Sequence, residues 1–368
     1  MSDIDALISR WIRPEIRAIS AYHVPDSSGM IKLDAMENPY TWPDEMVGEW
    51  QQLLAKTPVN RYPDPAASRV TQSLRQVMEI PDEMGVILGN GSDELIQILA
   101  QTLAEPGRTI MAPIPSFVMY QMIANFVGMG FTGIPLREDF SLDLESMISA
   151  IKKEQPALIF LAYPNNPTGN LFDDSDIEAI IKVADGVVIV DEAYHAFAGK
   201  SWMGRLGDYP NLLVMRTVSK LGLAGLRLGC LAGPTAWIEQ LDKVRLPYNI
   251  NTLTQVTAEF ALAHIELFNE QTRAIREERE NLMQQLLEIE GLTPYPSAAN
   301  FILFRVDRGL STTIFNGIKQ RGVLIKNMGQ SDGALADTLR VTVSSGDENG
   351  RFVEALQQVL REIPEKSQ

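Results

Sequence analysis

Seven short apolar runs through the middle of the chain constrain its fold more than any other feature. They are VILG (86–89), TIMAP (109–113), GFTGIPL (130–136), ALIFLAY (157–163), VVIVDEAY (187–194), LLVMRTVS (212–219) and LRLGCLAG (226–233). Each has the length of a strand and is apolar at consecutive positions, so both of its faces must be covered. Helical stretches at 93–103, 117–127, 144–153 and 174–184 separate several of them. Continuous apolar strands alternating with helices predict an α/β fold, a large and mostly parallel seven-stranded sheet with helices on both faces. After Pro247 the pattern changes. A long charged helix over 255–289 leads to three strand candidates, NFILFRV (300–306), VLIK (323–326) and LRVTVSS (339–345), which read as a smaller α+β domain. Residues 1–45 are proline-rich and irregular, the pattern of an arm that packs on other structure. The expected organisation is therefore an arm (1–45), a large α/β domain (46–255) and a small C-terminal α+β domain (256–368).

Charge and composition narrow the partners. The 368 residues carry a net charge of −15, which repels nucleic acid and anionic membrane surfaces. An anionic ligand must then be held by local donors. No window approaches the ~18 apolar residues of a membrane span, and the amphipathic start MSDIDALISRW has no signal-like apolar core. The single cysteine, Cys230, precludes an intrachain disulfide and suits the reducing cytoplasm. His23, His195 and His264 show no metal-ligand spacing, and no metal is expected.

In α/β sheets ligands bind at the carboxyl ends of the strands, and the unusual residues of this chain stand there. Gly89-Asn90-Gly91-Ser92-Asp93-Glu94 opens a helix after VILG, where backbone N–H groups and the helix dipole suit an anion. Read by itself, that motif is equally a capped turn. Lys220 ends an apolar strand beside Ser219 and ahead of the glycine-rich turn to Arg227. A lysine so placed is partly desolvated and available as a nucleophile, and Arg227 offers a guanidinium fork for a phosphate. Asp191 closes VVIV, so its carboxylate is buried and needs a cationic or hydrogen-bonding partner. A protonated pyridine nitrogen would serve, as would a structural salt bridge. Tyr194 and Asn166 could both reach a phenolic oxygen on the same ring.

Asn166-Pro167-Thr168-Gly169, Asp191-Glu192-Ala193-Tyr194 and Ser219-Lys220 with Gly225-Leu226-Arg227-Leu228-Gly229 resemble, in order and spacing, the aspartate-aminotransferase superfamily of fold type I enzymes that use pyridoxal 5′-phosphate (PLP). Within it the chain resembles the histidinol-phosphate aminotransferases through Leu33–Tyr40, Asn60–Pro65, Gly89–Glu94, Ser116–Tyr120, Ala299-Asn300-Phe301 and Leu339-Arg340-Val341. The resemblance implies that Lys220 holds PLP as a Schiff base and later moves the proton between substrate Cα and cofactor C4′. It implies that Asp191 keeps the pyridine nitrogen protonated, while Tyr194 and Asn166 bond the ring's 3-oxygen. Phe117 would stack on the ring, with Tyr120 as the second candidate. Gly91, Ser92, Asp93, Ser219 and Arg227 would hold the phosphate. Tyr62 would reach it from the neighbouring subunit, which implies a homodimer with shared sites. Arg340, with Tyr22, Asn38 and Lys326, would bind substrate: the α-carboxylate of glutamate in one half-reaction and the phosphate of L-histidinol phosphate in the other.

This chain departs from the family pattern at two positions. Met36 stands where Asn-Glu-Asn-Pro has its first asparagine, and Lys326 where an arginine is usual. Lysine keeps the charge and loses the fork. The implied reaction joins L-histidinol phosphate and 2-oxoglutarate to give imidazole-acetol phosphate and L-glutamate, a step of histidine biosynthesis. An aromatic amino-acid aminotransferase would share every cofactor residue. A PLP decarboxylase of an amino-acid phosphate would set the Cα–carboxylate bond, instead of Cα–H, perpendicular to the ring. A non-catalytic regulator of this fold would need a DNA-binding module, which an acidic chain does not favour.

Overall fold

All seven apolar runs become strands of one sheet in the computed structural model, which describes residues 3–21, 24–329 and 333–363. A two-residue strand, β1 (Ile31–Lys32), comes first in the chain. The large sheet then follows with β2 (Met84–Asn90), β3 (Thr109–Ile114), β4 (Gly130–Pro135), β5 (Leu158–Ala162), β6 (Val187–Asp191), β7 (Leu212–Thr217) and β8 (Leu228–Pro234). Their order is β2-β8-β7-β6-β5-β3-β4, and β8 runs antiparallel to both its neighbours while the other pairs are parallel. The unbroken apolar runs have a direct cause. Val188 and Val190 of β6 enter the core on one side of the sheet, and Val187 and Ile189 enter the core on the other. Helix starts and stops obey local chemistry: Asp143 caps the helix Leu144–Glu154 by accepting from the Ser146 N–H, and Gly128 ends Met119–Val127 in the left-handed conformation.

The smaller sheet has the order β12-β13-β10-β9 and is antiparallel, built from β9 (Thr293–Pro294), β10 (Phe301–Arg305), β12 (Lys326–Asn327) and β13 (Thr338–Thr342). Ile302, Phe304 and Val341 pack there with Phe352 and Leu356 of the helix Gly346–Glu362. Strand β11 (Val323–Leu324) pairs in parallel with β1, and the Leu33 backbone bonds onward to Leu324 and Thr342. The segment 31–36 is thereby strapped to the small sheet.

Three expectations need correction. The long helix over 255–289 is two helices, Thr252–Ala263 and Ile265–Leu287, broken at His264 (φ −107°, ψ 33°). The first packs on the helices Asp44–Ala55 and Ser68–Val77 and the second on the small sheet, so one straight rod could not bury both apolar faces. The run VLIK splits around buried Ile325, with its first half pairing β1 and its last residue pairing β13. The irregular arm contains a helix, Asp3–Trp11, none of whose side chains is buried; Trp11 is 71% exposed.

Candidate active site

The carboxyl ends of β2, β5, β6 and β7 converge on one cavity, where ligands of α/β sheets bind. Asp93, Phe117, Asn166, Asp191, Tyr194 and Lys220 line it, from five different segments of chain. The helix after β3 begins at Met119, two residues later than the pattern predicts, which leaves Phe117 in the turn ahead of it and facing the cavity.

Two buried ionisable groups set the chemistry. Lys220 lies in the single turn Ser219–Leu221 that follows β7. Its Nζ donates to the carbonyl of Ala35 at 3.1 Å and sits 5.8 Å over the Tyr194 ring. Burial, reinforced by the Arg340 charge, lowers its pKa to about 8. An amine in that state is partly neutral near physiological pH and therefore nucleophilic. Asp191 ends β6 at 4% exposure. Its Oδ1 accepts from the Ala193 N–H (3.1 Å) and its Oδ2 from the Tyr120 hydroxyl (2.7 Å). Burial nonetheless pushes its pKa up to about 6, as expected for a carboxylate whose cationic partner is still to be supplied.

A chain of hydrogen bonds ties the two sheets together beside these groups. Arg340 of β13 donates from Nη1 to Asn166 Oδ1 (2.5 Å) and from Nη2 to the Asp34 carbonyl (3.0 Å). The Asn166 amide donates to the Tyr194 hydroxyl at 3.2 Å. Burial raises the Tyr194 phenol above its ordinary range, so it stays protonated and can donate.

The opposite end of the cavity is shaped for an anion. The helix Gly91–Leu103 presents its N-terminus there, with Ser92 and Asp93 on the cavity wall. Gly91 has φ +77°, and a Cβ on it would lie 2.7 Å from Arg227 Nη2. Arg227 itself is held at φ +49°, a left-handed strain for a side-chain-bearing residue, and bonds Asp93 at 3.1 Å. Ser219 is buried, with its N–H on Thr217 Oγ1 (3.2 Å). An amine, a carboxylate needing a cation, two groups for a phenolic oxygen and a donor-lined helix start fit a phosphorylated pyridine aldehyde in one cavity.

The remaining expected residues are dispersed. Tyr62 is 80% exposed, stacks on Tyr248 (4.5 Å between centroids) and does not line the cavity. Asn38 does not line the cavity: its amide bonds the Leu221 carbonyl and Gln271 (2.9 Å each), holding the strap against the lysine turn. Lys326 stands directly opposite Arg340 across β12 and β13, so the two side chains share a sheet face. Tyr22 lies outside the described residues. Sequence reasoning did not foresee several of the contacts. Met36 lines the cavity at φ +53°, with its N–H on Thr342 and its carbonyl on Asn300. Glu192 and Arg216 form a wholly buried pair (2.8 Å) that also binds Ser201, behind the Asp191 strand end. Tyr120 lines the cavity and its hydroxyl reaches Asp191. A tyrosine in the apolar helix MYQMIANFV needs a buried partner for its hydroxyl, a signal present in the sequence.

Comparison with known proteins supplies the family. The model of "Aminotransferase class I and II" matches residues 28–356. "Histidinol-phosphate aminotransferase 2" of Nitrosococcus oceani is 55% identical, covering 95% of this chain and 97% of the relative. The protein of the same name from Cupriavidus pinatubonensis is 52% identical over 98% of this chain and all of its own. Among solved structures, the histidinol-phosphate aminotransferase of Sinorhizobium meliloti in complex with pyridoxal-5′-phosphate superposes with a TM-score of 0.85 at 22% identity, covering 96% of this chain and 98% of that one.

Proposed function

The chain belongs to the class I and II aminotransferases, and we propose that it transfers the amino group of L-histidinol phosphate to 2-oxoglutarate, giving imidazole-acetol phosphate and L-glutamate, in histidine biosynthesis. One observation carries the reading: a buried amine and a buried carboxylate, Lys220 and Asp191, face one cavity whose far end is an anion cradle. The relatives' shared name supports the substrate.

When bound, PLP supplies a reactive aldehyde carbon and a conjugated ring that accepts electrons. The protein's residues do the rest. Lys220 would hold the cofactor and serve as the base that takes the proton from the amino donor's Cα. Asp191 would keep the ring nitrogen protonated. Tyr194 and Asn166 would bond the ring's 3-oxygen, and Phe117 would cover one ring face. Gly91, Ser92 and Asp93, with Ser219 and Arg227, would hold the phosphate. Arg340 would bind the glutamate carboxylate in one half-reaction and the substrate phosphate in the other, with Lys326 as the second cation, Tyr22 offering a hydroxyl and Asn38 ordering the strap. A phosphate dianion in a partly desolvated site needs more than one cation.

The functional unit in this reading is a cytoplasmic homodimer of chains divided into an arm (1–45), a large domain (46–255) and a small one (256–368). The exposed apolar face of Asp3–Trp11 and the outward Tyr62 support a second copy; among the described residues no helix is long and apolar enough to cross a membrane. Mixing Lys220→Ala with Tyr62→Ala subunits under exchange should restore one intact site per heterodimer. Activity no greater than the sum of the parents, with exchange demonstrated, would place Tyr62 within its own subunit. The substrate is tested by adding single amino donors to the PLP form and following loss of cofactor absorbance. L-Histidinol phosphate should react fastest at low concentration. Preference for phenylalanine or tyrosine would move the assignment to an aromatic aminotransferase.

A further inference from the structure

Tyr120 touches two residues that the cofactor needs. Its fully buried ring stacks on Phe160 (4.4 Å, 4°) and meets Phe117 edge to face (5.6 Å, 88°). Its hydroxyl donates to Asp191 Oδ2 at 2.7 Å, while the Ala193 N–H occupies Oδ1. The carboxylate therefore has a fixed donor on each oxygen, and turning it would break both bonds. Phenylalanine would fill the same space without burying a hydroxyl, which in a core position needs a reason.

We propose that Tyr120 is a positioning residue that holds the Asp191 carboxylate in the orientation and the ionised state the cofactor's ring nitrogen requires, on the reading that Asp191 faces that nitrogen. A buried carboxylate and a buried pyridine nitrogen compete for one proton, and the better base keeps it. Burial makes Asp191 a stronger base, and the charges of Asp93 and Glu192 add to that; the donors Tyr120 and Ala193 oppose it. The Tyr120 phenol is raised well above its ordinary value by burial and by the Asp191 charge, so it remains a donor at every working pH; Tyr194 and Asp93, which also face it, push the same way. Removing the Tyr120 hydroxyl tips the proton from the ring nitrogen to the carboxylate. The ring then draws electrons from the substrate less strongly. Through its contact with Phe117, the same side chain also sets the aromatic surface on which the cofactor ring rests.

The test is Tyr120→Phe, which keeps the ring and deletes only the hydroxyl, reconstituted with PLP labelled with ¹⁵N at the ring nitrogen. Wild-type holoenzyme should give the protonated-nitrogen NMR signal between pH 6 and 8. The variant should shift toward the unprotonated position, with kcat lower by at least about 10-fold, the loss of one charge-assisted bond, and KM changed less than about 2-fold. A protonated signal unchanged in Tyr120→Phe overturns the proposal, provided that Asp191→Asn loses it. If Asp191→Asn keeps the protonated signal too, the reading of Asp191 fails first. Should Tyr120→Phe not fold, fluorotyrosine incorporated at position 120 replaces it. Its more acidic hydroxyl donates more strongly, makes Asp191 the weaker base and should move the ¹⁵N signal further toward the protonated position; no movement overturns the proposal.

Discussion

The large and small sheets furnish the site in different ways. From the large sheet come side chains at strand ends: Asp191 ends β6, Lys220 follows β7 and Asn166 follows β5. Each is placed by its own strand, within a few residues. The small sheet and the strap over 31–36 contribute Arg340 and a row of backbone carbonyls, Asp34 to Arg340, Ala35 to Lys220 and Met36 to Asn300. Those contacts join residues 185 to 306 positions apart in sequence. The difference suggests a division of labour, with bond-breaking groups on the large sheet and the substrate's anions read by the small one.

Substitutions on the two sides should separate in kind. The largest effect is expected for Lys220→Ala. One amine supplies both the attachment and the proton transfer, so turnover should fall by at least about 10³-fold, while the folded protein still takes up PLP non-covalently. Retention of more than a few percent of wild-type turnover would break the division at its strongest point. Asp191→Asn should come next, with PLP still bound and single-turnover proton abstraction about 10²- to 10³-fold slower, since an amide cannot hold the pyridinium proton. Its apo form gives an independent measurement. Asp191 has a folded pKa raised to about 6 from 3.8. Below pH 3.8 its ionisation costs nothing; from there to about 6 the folded state resists losing the proton, and above 6 the cost is complete. The apo variant should thus gain stability over apo wild type by about 1–3 kcal/mol as the pH rises from 4 to 7. Thermal denaturation of both proteins across that range checks this, and a pH-independent difference would contradict a strained carboxylate.

How far the sequence reveals this arrangement follows from the same contrast. Strand-end residues were legible because a continuous apolar run fixes both the strand and where it stops. Asp191 and Lys220 each break such a run, and burial of a charge demands a chemical reason. The strap was not legible. Nothing local to Asp34-Ala35-Met36 indicates that their carbonyls would meet Arg340, Lys220 and Asn300, because backbone acceptors carry no residue signature. The break at His264 was hidden for a related reason, since helical periodicity continues through it and only the two packing partners differ. The resemblance offers Tyr120 only as a second stacking candidate, and the partner of its buried hydroxyl stands on another strand, where no local pattern names it.

Smaller effects are expected on the small-sheet side, and in binding. Arg340→Lys keeps the charge but loses the fork to Asn166 and Asp34. KM should rise about 10- to 100-fold for both substrates, with kcat less affected. A pure kcat defect would show that Arg340 acts through Asn166 and Tyr194 on the chemistry and would blur the division. Lys326→Ala should be selective, raising KM for L-histidinol phosphate by about 10-fold, as for a charged hydrogen bond of about 1.5–3 kcal/mol, and KM for glutamate much less. Equal effects would mean that Lys326 does not read the phosphate.

The central claim is that Lys220 is the covalent seat of the cofactor, and borohydride tests it without assuming any substrate. Reducing the holoenzyme fixes PLP to whichever lysine carries it, and peptide mapping then locates the adduct. The expected result is a single modified tryptic peptide spanning Thr217 to Arg227, with the pyridoxyl mass on Lys220. A stoichiometric adduct on any other lysine would contradict the account.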